Sequence, residues 1–458
     1  MRPRLPLAAG VAAARTAGRL SRLAGTGGGT TLPGKLLNAI DPTAVGRLAA
    51  RLPRGSALVS ATNGKTTTAA MVAEILSPGV RVAHNSAGAN LLSGVASTLL
   101  SADGAELGLF EVDEAALPDV SRRVQPRALS LGNLFRDQLD RYGELELVAE
   151  RWRGAVRDLD PSAVVVVNGD DPQVGDLATE RSAAVVFGVD DPRRGTSGLQ
   201  HAADSKWCIR CGTPYEYGVA YVGHLGDYRC PACGHRRPPL DVVARNIELE
   251  GLDTVSFELV DREGALPIRL RLPGLYNVYN ALAAASLAQV LGASRDQIRA
   301  GLERFTAAFG RFERIPVGER TLLMLLIKNP AGANEVVRTL VAGGPPRLAV
   351  IALNDAIADG RDVSWIWDVD FEPLLERLER VVAAGDRAAE LALRCKYAGF
   401  PAERIEVVPG LGDAFDRGLE LTPGGGELVV LPTYTAMLRL RGIVSERGYV
   451  KPYWERAA

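Results

Sequence analysis

The sequence predicts an α/β protein with a mostly parallel sheet, a cysteine-rich insertion and a second, smaller α/β domain. From residue 57 onward, short apolar runs alternate with helical patterns, and such alternation places helices on both faces of a parallel sheet. Four cysteines in two close pairs interrupt the alternation after residue 207. The alternation then resumes and continues into the C-terminal third of the chain.

Composition and charge limit the classes of protein to which the chain can belong. Its 458 residues allow about three domains, each able to bury a core of its own. A net charge of −1 argues against a dedicated nucleic-acid binder. Because no apolar run approaches the ~18 residues of a membrane span, we expect a cytoplasmic protein.

The first 54 residues are predicted to form a basic helical segment. Several arginines precede the first acidic residue, Asp41, and the stretch from Leu5 to Ala14 is too Ala-rich for a signal peptide. These features favour a surface helix near anionic lipid, at the inner face of the membrane, over a cleaved targeting segment. A short helical piece should follow, from Leu32 to about Arg54.

A phosphate loop is predicted between the apolar run Ala57 to Val59 and the helical pattern Ala69 to Leu76. In such a loop, backbone N–H groups at a helix start converge on an anion. Lys65 can reach the outer phosphates, and the Thr66 hydroxyl can ligate Mg²⁺. An ordinary strand-to-helix turn is the alternative, since Val59 replaces the first glycine of the usual pattern. The loop reads Ser60-Ala61-Thr62-Asn63-Gly64-Lys65-Thr66-Thr67-Thr68.

Acidic residues follow the next predicted strand, which spans Leu107 to Val112. Glu111 falls at the carboxyl edge of the sheet, where a carboxylate can hold Mg²⁺ directly or through water. Asp113 and Glu114 are interpreted as a solvated acidic loop. Further strands are predicted at Ala128 to Leu131 and Ala163 to Val167, with a helix from Leu145 to Leu159 between them.

Two Cys-x-x-Cys pairs, eighteen residues apart, predict a zinc ribbon inserted at about residues 205–238. Two disulfides or a redox dithiol are the alternatives, and the lack of a secretion signal favours zinc. Four thiolates leave no open coordination position, so the metal should be structural. His224 and His235 are not expected to be ligands, and Cys395 is expected in a core. The predicted ligands are Cys208, Cys211, Cys230 and Cys233.

The central domain is predicted to span residues 55–314 and a Rossmann-like C-terminal domain residues 315–458. Predicted C-terminal strands are Leu348 to Leu353 and Leu428 to Leu431, and predicted helices are Phe371 to Ala383 and Arg387 to Tyr397. At the end of the central domain, Arg311 could stabilise a transferring phosphate or could be an ordinary surface arginine.

One C-terminal loop crowds four aspartates beside Trp365 and Trp367. Like charges packed together are costly unless exposed or paired, and exposed Trp favours an interface, so the loop predicts a surface for a partner. Residue type and spacing do not choose among the four, and a helix-capping or turn role remains open for each. They are Asp355, Asp359, Asp362 and Asp368.

Six motifs occur along the chain: Thr62 to Thr67, Glu111, Asn133 with Arg136-Asp137 and Leu139-Asp140, Asn168-Gly169-Asp170-Asp171-Pro172, Asn277 with Asn280, and Gly310-Arg311-Phe312-Glu313. In kind and in order they resemble the motifs of the Mur ligase family, whose members phosphorylate a carboxylate with ATP and let an amine attack the acyl phosphate. The resemblance implies that Thr62, Asn63, Gly64, Lys65, Thr66 and Thr67 bind ATP, that Thr66 and Glu111 bind Mg²⁺, that Asn277 and Asn280 lie around the adenine, and that Arg311 contacts the phosphates.

Where the chain departs from the amino-acid-adding members, it resembles an amidating branch of the family. Gln138 stands where those members carry His, and Lys328-Asn329-Pro330 replaces a Tyr-Ala-His-Asn-Pro-like segment. The resemblance implies amidation of the D-glutamate α-carboxylate in the lipid II stem peptide to D-isoglutamine. Ammonia would come from a GatD-like glutamine amidotransferase subunit in a heterodimer, whose Cys-His pair Asp362 would complete into a triad.

Two other functions remain open for the sequence alone. The chain could be a Mur-type ligase that adds an amino acid to a peptidoglycan precursor, although the altered C-terminal residues disfavour it. It could also be a nucleotide-regulated assembly protein without ligase activity. Convergence of Glu111 and Arg311 on the γ-phosphate would favour ligation, since binding alone needs no clamp on a transition state.

Overall fold

Helices form the N-terminal part of the fold, α1 (Leu7–Leu23), α2 (Leu32–Ile40) and α3 (Ala44–Ala49). The computed structural model describes residues 7–23, 31–85, 89–137, 144–199, 203–306, 312–344 and 348–451. The predicted basic helix is therefore present as α1, where Arg15 Nε donates to the Leu100 carbonyl at 2.8 Å. Among the described residues, no helix combines the length and apolarity that crossing a bilayer requires.

A nine-stranded sheet forms the centre of the molecule, in the order β11-β10-β9-β6-β5-β4-β1-β3-β2. Its pairs are parallel except for those of β10, which runs antiparallel to β9 and β11. The strands are β1 (Ser56–Ser60), β2 (Val82–His84), β3 (Leu107–Glu111), β4 (Ala128–Leu131), β5 (Val164–Asn168), β6 (Ala184–Val189), β9 (Val242–Glu250), β10 (Thr254–Asp261) and β11 (Gly264–Leu270), with β7 and β8 in the insertion described below.

Strand β1 explains how the sheet is buried on both faces. Alternate residues of a strand point to opposite faces, so Ala57 and Val59 enter one apolar cluster and Leu58 enters the other. Helices cover both faces, as the alternating sequence predicts. They are α4 (Lys65–Leu76), α5 (Leu92–Leu100), α6 (Leu117–Val124), α7 (Leu145–Arg157), α8 (Pro172–Gly175), α9 (Leu275–Val290) and α10 (Arg295–Arg304).

Strand order changes direction around β1, and this position places the site. From β1 the chain moves to one edge through β2 and β3, and then crosses to β4 on the other side of β1. In open parallel sheets, ligands bind beyond the carboxyl ends of the strands at such a switch point. The phosphate loop follows β1, Glu111 ends β3, and Asn133 follows β4.

The insertion carries a two-stranded antiparallel hairpin, β7 (Glu216–Val222) and β8 (Leu225–Arg229). The four cysteines flank this hairpin, with one pair before β7 and the other after β8. This arrangement agrees with the predicted ribbon.

The C-terminal domain is a six-stranded sheet, in the order β12-β13-β17-β14-β15-β16, parallel except for the β12–β13 pair. Cys395 is fully buried in its core, as expected. The elements are β12 (Glu313–Val317), β13 (Arg320–Met324), α11 (Pro330–Ala342), β14 (Leu348–Ala352), α12 (Glu372–Leu375), β15 (Arg380–Ala384), α13 (Ala388–Tyr397), β16 (Ile405–Val407), α14 (Leu411–Leu421), β17 (Glu427–Pro432) and α15 (Tyr434–Glu446).

The predicted helix from Phe371 to Ala383 is wrong. Only α12 is helical, and the second half of the segment is strand β15, which runs parallel to β14 with Val381 opposite Ala349. Apolar residues at helical spacing suggested one long helix. Pairing with β14 and β16 overrides that pattern, because the buried run Val381 to Ala384 fits a central strand.

Candidate active site

The phosphate loop is held in a conformation that requires glycine at position 64. Gly64 precedes α4 with φ of 88°, in the left-handed region. A Cβ atom there would lie 1.9 Å from Asn280 Oδ1. Asn280 Nδ2 in turn donates to Asn277 Oδ1 at 3.0 Å. The predicted adenine-side asparagines therefore pack directly against the predicted phosphate loop.

Asn133 holds the loop from the neighbouring strand end. Its Oδ1 accepts from the Asn63 backbone N–H at 2.9 Å, and its Nδ2 donates to the Asn63 carbonyl at 3.0 Å. The Thr62 N–H donates to the Asn133 carbonyl at 2.8 Å, and the Phe135 N–H donates to Thr62 Oγ1 at 3.1 Å. These bonds fix the loop before any ligand binds.

Lys65 is buried in an ion pair that the sequence did not predict. Its Nζ lies 2.7 Å from Glu114 Oε2, and both side chains are less than one tenth exposed. Burial alone would lower the pKa of Lys65, but the carboxylates of Glu114, Glu111 and Asp113 outweigh burial and raise it. Burial likewise raises the pKa of Glu114, and the attraction to Lys65 more than reverses it.

The interpretation of Asp113 and Glu114 as a solvated loop is wrong. Both residues are buried, at 8% and 5% exposed. The turn after β3 folds back over the phosphate loop, where Glu114 pairs with Lys65. A local sequence pattern contains no sign of that partner, which lies 49 residues away.

Thr66 and Glu111 meet as the magnesium prediction requires. Thr66 Oγ1 donates to Glu111 Oε1 at 3.0 Å, and Glu111 Oε2 is buried without a hydrogen-bond partner among the described residues. Asn85 clamps the Glu111 backbone, since its Oδ1 accepts from the Glu111 N–H and its Nδ2 donates to the Glu111 carbonyl, both at 2.8 Å. An unpaired buried carboxylate oxygen beside a hydroxyl fits Mg²⁺, which prefers oxygen ligands.

A cleft opens beside the loop and is closed by the C-terminal domain. Residues from the central domain form one wall, and the start of α11 forms the other. The predicted ATP residues Thr67, Asn277 and Asn280 are all buried along it. The lining includes Asn63, Gly64, Thr67, Phe135, Val222, Leu225, Tyr276, Asn277, Asn280, Lys328, Gly332 and Glu335.

Lys328 and Asn329 join the C-terminal domain to the phosphate loop. Lys328 Nζ donates to the Thr62 carbonyl at 2.9 Å and pairs with Asp137 Oδ2 at 2.6 Å. Asn329 and Asn63 exchange side-chain hydrogen bonds of 3.0 and 3.2 Å. The segment that departs from the amino-acid-adding members therefore contacts the phosphate loop itself.

A second cleft lies on the other side of Lys328 and includes Asp362. Three of the four aspartates of this loop, Asp359, Asp362 and Asp368, line this cleft, and the four differ in burial and in their partners. Asp359 is buried and accepts from the Thr435 N–H at 2.8 Å, Asp355 pairs with Arg387 at 3.1 Å, and Asp368 lies 3.5 Å from Arg136.

Asp362 is the exposed member of the set. Its Oδ1 accepts from the Ser364 N–H at 2.9 Å, and the same backbone contact lowers the pKa of the carboxyl below its usual value. No ion pair to Asp362 occurs within the described part of the chain. It therefore presents an ionised carboxylate at the mouth of the cleft.

The four predicted zinc ligands come together. Cys208 and Cys233 Sγ are 3.5 Å apart, as are those of Cys211 and Cys230, and all four atoms lie within 4.8 Å of one another. A tetrahedral site with Zn–S bonds of about 2.3 Å separates its sulfurs by about 3.8 Å, so the cluster fits zinc. The cysteines are free thiols, and the described ligand group contains no histidine.

Arg311 lies outside the described residues, as does Gln138. The clamp role of Arg311 and its convergence with Glu111 stay predictions. Sequence reasoning missed Glu114, Asn85 and the Lys328 contacts. Only the position of Asn85, directly after the short strand β2, hints at a role at the sheet edge.

Comparison with known proteins defines the class. A model of the Mur ligase middle domain matches residues 59–208. A pseudomurein peptide ligase type C from Methanothermus fervidus has the same fold, with a TM-score of 0.69 at 20% identity over 88% of this chain and 80% of that chain. MurF ligase from Thermotoga maritima, solved in complex with ADP, gives 0.64 at 14% identity over 91% and 83%. The fold is that of a Mur-type ligase.

A match to a more specific family extends over nearly the whole chain. Residues 326–437 match a model of the MurT ligase C-terminal domain. The subunit MurT of the glutamine-hydrolysing lipid II isoglutaminyl synthase from Streptococcus pneumoniae is 34% identical over 94% of this chain and 95% of its own length. The chain belongs to the MurT family.

Proposed function

We propose that the chain uses ATP to convert the D-glutamate α-carboxylate of the lipid II stem peptide into an amide, through an acyl phosphate. The observation that carries this proposal is the pairing of Thr66 with Glu111 directly beside the phosphate loop, where the second carboxylate oxygen of Glu111 is buried and has no hydrogen-bond partner among the residues that the structure describes. The name of the pneumococcal relative supplies the substrate and the amidation. The ADP complex of the Thermotoga neighbour supports a nucleotide in the cleft.

Each residue of the site has a role in this reaction. The backbone of Thr62 to Lys65 cradles the phosphates, and Lys65, held charged by Glu114, attracts the outer ones. Thr66 and Glu111 would hold Mg²⁺. When bound, Mg²⁺ would neutralise charge that develops during phosphoryl transfer. Asn277 and Asn280 line the adenine side of the cleft.

Ammonia would reach the acyl phosphate from a glutaminase subunit docked at the second cleft. The nitrogen lone pair of ammonia attacks the acyl carbon, the carbon–oxygen bond to phosphate breaks, and the leaving phosphate takes up the proton that the nitrogen loses, so that the products are the amide and hydrogen phosphate. Asp362 is exposed, ionised and without a cation partner in the described chain, which suits a carboxylate that orients an imidazole of another subunit. A lipid-linked substrate would bring the complex to the inner face of the membrane, and the basic helix α1 would lie next to that face.

The test is a mass-spectrometric assay of the purified chain with lipid II, Mg-ATP and ammonium salt. We expect the mass change of a carboxylate turned into an amide, lost in Lys65→Ala. Lys35→Ala, an exposed lysine on α2, should retain the activity. If no product forms, the assay is repeated with the partner subunit and glutamine. If neither assay yields product although the chain still binds ATP, the assembly-protein function would replace this proposal.

A further inference from the structure

The hairpin β7–β8 of the zinc ribbon extends from the cysteines into the nucleotide cleft. Its turn, residues 222–225, brings Val222 and Leu225 to the cleft wall. Both side chains are buried, at 4% and 1% exposed. The cysteine cluster and the cleft are therefore opposite ends of one element.

Close contacts fix this turn against the loop that follows β4. Gly223 has φ of 59°, and a Cβ atom there would lie 2.8 Å from the Phe135 ring. The His224 ring packs on the same phenyl ring with centroids 4.6 Å apart. His224 is fully buried, and its Nε2 lies 3.3 Å from Asp171 Oδ2. The Gly226 N–H donates to the Asp170 carbonyl at 2.9 Å.

These contacts continue to the phosphate loop. The Asp171 Oδ2 atom that faces His224 also accepts from the Leu134 N–H at 2.8 Å. Leu134 follows Asn133, whose side chain holds both backbone groups of Asn63. On the other wall, Arg338 of α11 donates to the Tyr221 carbonyl at 2.7 Å. The hairpin thus contacts both domains that form the cleft.

The two ends of the hairpin are held differently. At the turn, Tyr221, Val222 and Leu225 belong to the main apolar cluster of the central domain. The cysteine end has only a small apolar cluster of its own, whose buried members are Cys208, Tyr215, Tyr228 and Cys230, and two of these are predicted ligands. A hairpin end with so small a core is marginal in water. Because the four thiolates come from both flanks of the hairpin, metal binding would contribute directly to the folding of this end.

We propose that the zinc ribbon is a structural part of the nucleotide site, so that metal occupancy sets the affinity of the cleft for nucleotide. The metal holds the cysteine end of the hairpin, the hairpin positions Val222 and Leu225 at its other end, and these side chains cover the cleft. This inference rests on the proposed function, since it requires that the cleft binds nucleotide.

The test is titration calorimetry of the full chain with ADP, before and after treatment with a zinc-selective chelator, with metal content measured in each sample. Loss of the wall should weaken ADP binding by about tenfold or more, which added zinc should reverse. Equal affinity with and without zinc would overturn the coupling alone. A zinc-loaded chain that binds no ADP would overturn the proposed function as well.

A variant separates this effect from general unfolding of the metal-free chain. Leu225→Ala changes the turn, far from the cysteines, and should keep its zinc while binding ADP about fivefold more weakly or worse. Leu266→Ala, a buried leucine of the same apolar cluster on β11, is the matched control and should bind ADP normally. Unchanged ADP affinity in Leu225→Ala would overturn the inference.

Discussion

Lys65 carries a charge that the protein has already balanced before a phosphate arrives. The ion pair with Glu114 is buried, and Lys65 Nζ also donates to the Ala61 carbonyl at 2.8 Å. A phosphate must therefore compete with, or join, a carboxylate at this lysine. The arrangement keeps the Lys65 ammonium charged although it is buried, and it holds the ammonium in one place, whereas an exposed lysine would be charged but mobile.

Removal of the Glu114 charge should destabilise the folded protein. In Glu114→Gln the buried Lys65 ammonium loses its counter-charge, so we expect the free energy of unfolding to fall by about 3 kcal/mol. Urea denaturation measures it, with the exposed Glu146→Gln as control. The double variant Lys65→Met with Glu114→Gln should recover much of the loss, and equal instability of single and double variants would contradict the role of the pair.

His84, at the end of β2, should make stability depend on pH. Its Nε2 is buried without a described partner, and burial lowers the pKa to about 4 from an ordinary 6.5. Between these values the unfolded chain binds a proton that the folded chain does not. Stability therefore rises with pH across this window and is lost as pH falls through it.

The variant His84→Leu should flatten this dependence. Urea midpoints at pH 4.5, 5.5, 6.5 and 7.5 measure it, as differences between the variant and the parent, because other groups titrate in both proteins. We expect the two proteins to diverge below about pH 6.5 and to run parallel above it. A constant difference at all four values would show that His84 does not titrate as described.

At the scale of the element, the turn from β1 into α4 combines two demands on one residue. Gly64 needs a positive φ, and it must also leave room for Asn280. A side chain would therefore strain the backbone and displace the adenine-side asparagine together. The same geometry lets the loop lie close to a nucleotide.

Gly64→Ala should abolish ADP binding, measured by titration calorimetry, because the Cβ atom displaces Asn280. Gly251→Ala is the matched control, since Gly251 also has a positive φ, of 62°, but nothing lies within 4 Å of a Cβ atom there. Each substitution should cost about 1 kcal/mol in backbone strain. Normal ADP affinity in Gly64→Ala would show that contact with Asn280 is not needed for nucleotide binding.

For the whole molecule, the decisive feature is where the two domains meet. Lys328 lines both the nucleotide cleft and the cleft of Asp362, and it bonds directly to the phosphate loop. Under the proposed function, the ATP reaction and the contact with a partner would therefore lie on two sides of one lysine. A variant that affects only the ATP reaction or only the partner contact should therefore separate the two activities.

Asp362→Asn should remove glutamine-dependent amidation in the two-subunit complex and leave ammonia-dependent amidation largely intact. The amide cannot stabilise a charged imidazole, but it does not touch the phosphate loop. Parallel assays with glutamine and with ammonium salt measure the split, and Asp355→Asn, which loses only a partly exposed pair with Arg387, should spare both. Equal loss of both activities in Asp362→Asn would contradict the triad assignment.

The sequence alone determined the chemistry that neighbouring residues carry. The phosphate loop, the two cysteine pairs and the strands β1, β3 and β4 were predicted to within about a residue, because a loop between strand and helix and a Cys-x-x-Cys turn are set by local spacing. Its position at a strand end predicted Glu111, and the family resemblance added the two asparagines. The structure places these residues beside the loop.

Only the tertiary structure decided which distant groups meet. The sequence predicts a solvated Glu114, whereas the fold pairs it with Lys65, and the sequence predicts helix where β15 pairs between β14 and β16. The contacts of Lys328 and of the ribbon turn cross the domain boundary. Burial and long-range pairing arise when separate segments pack, and no pattern within one segment records its partner.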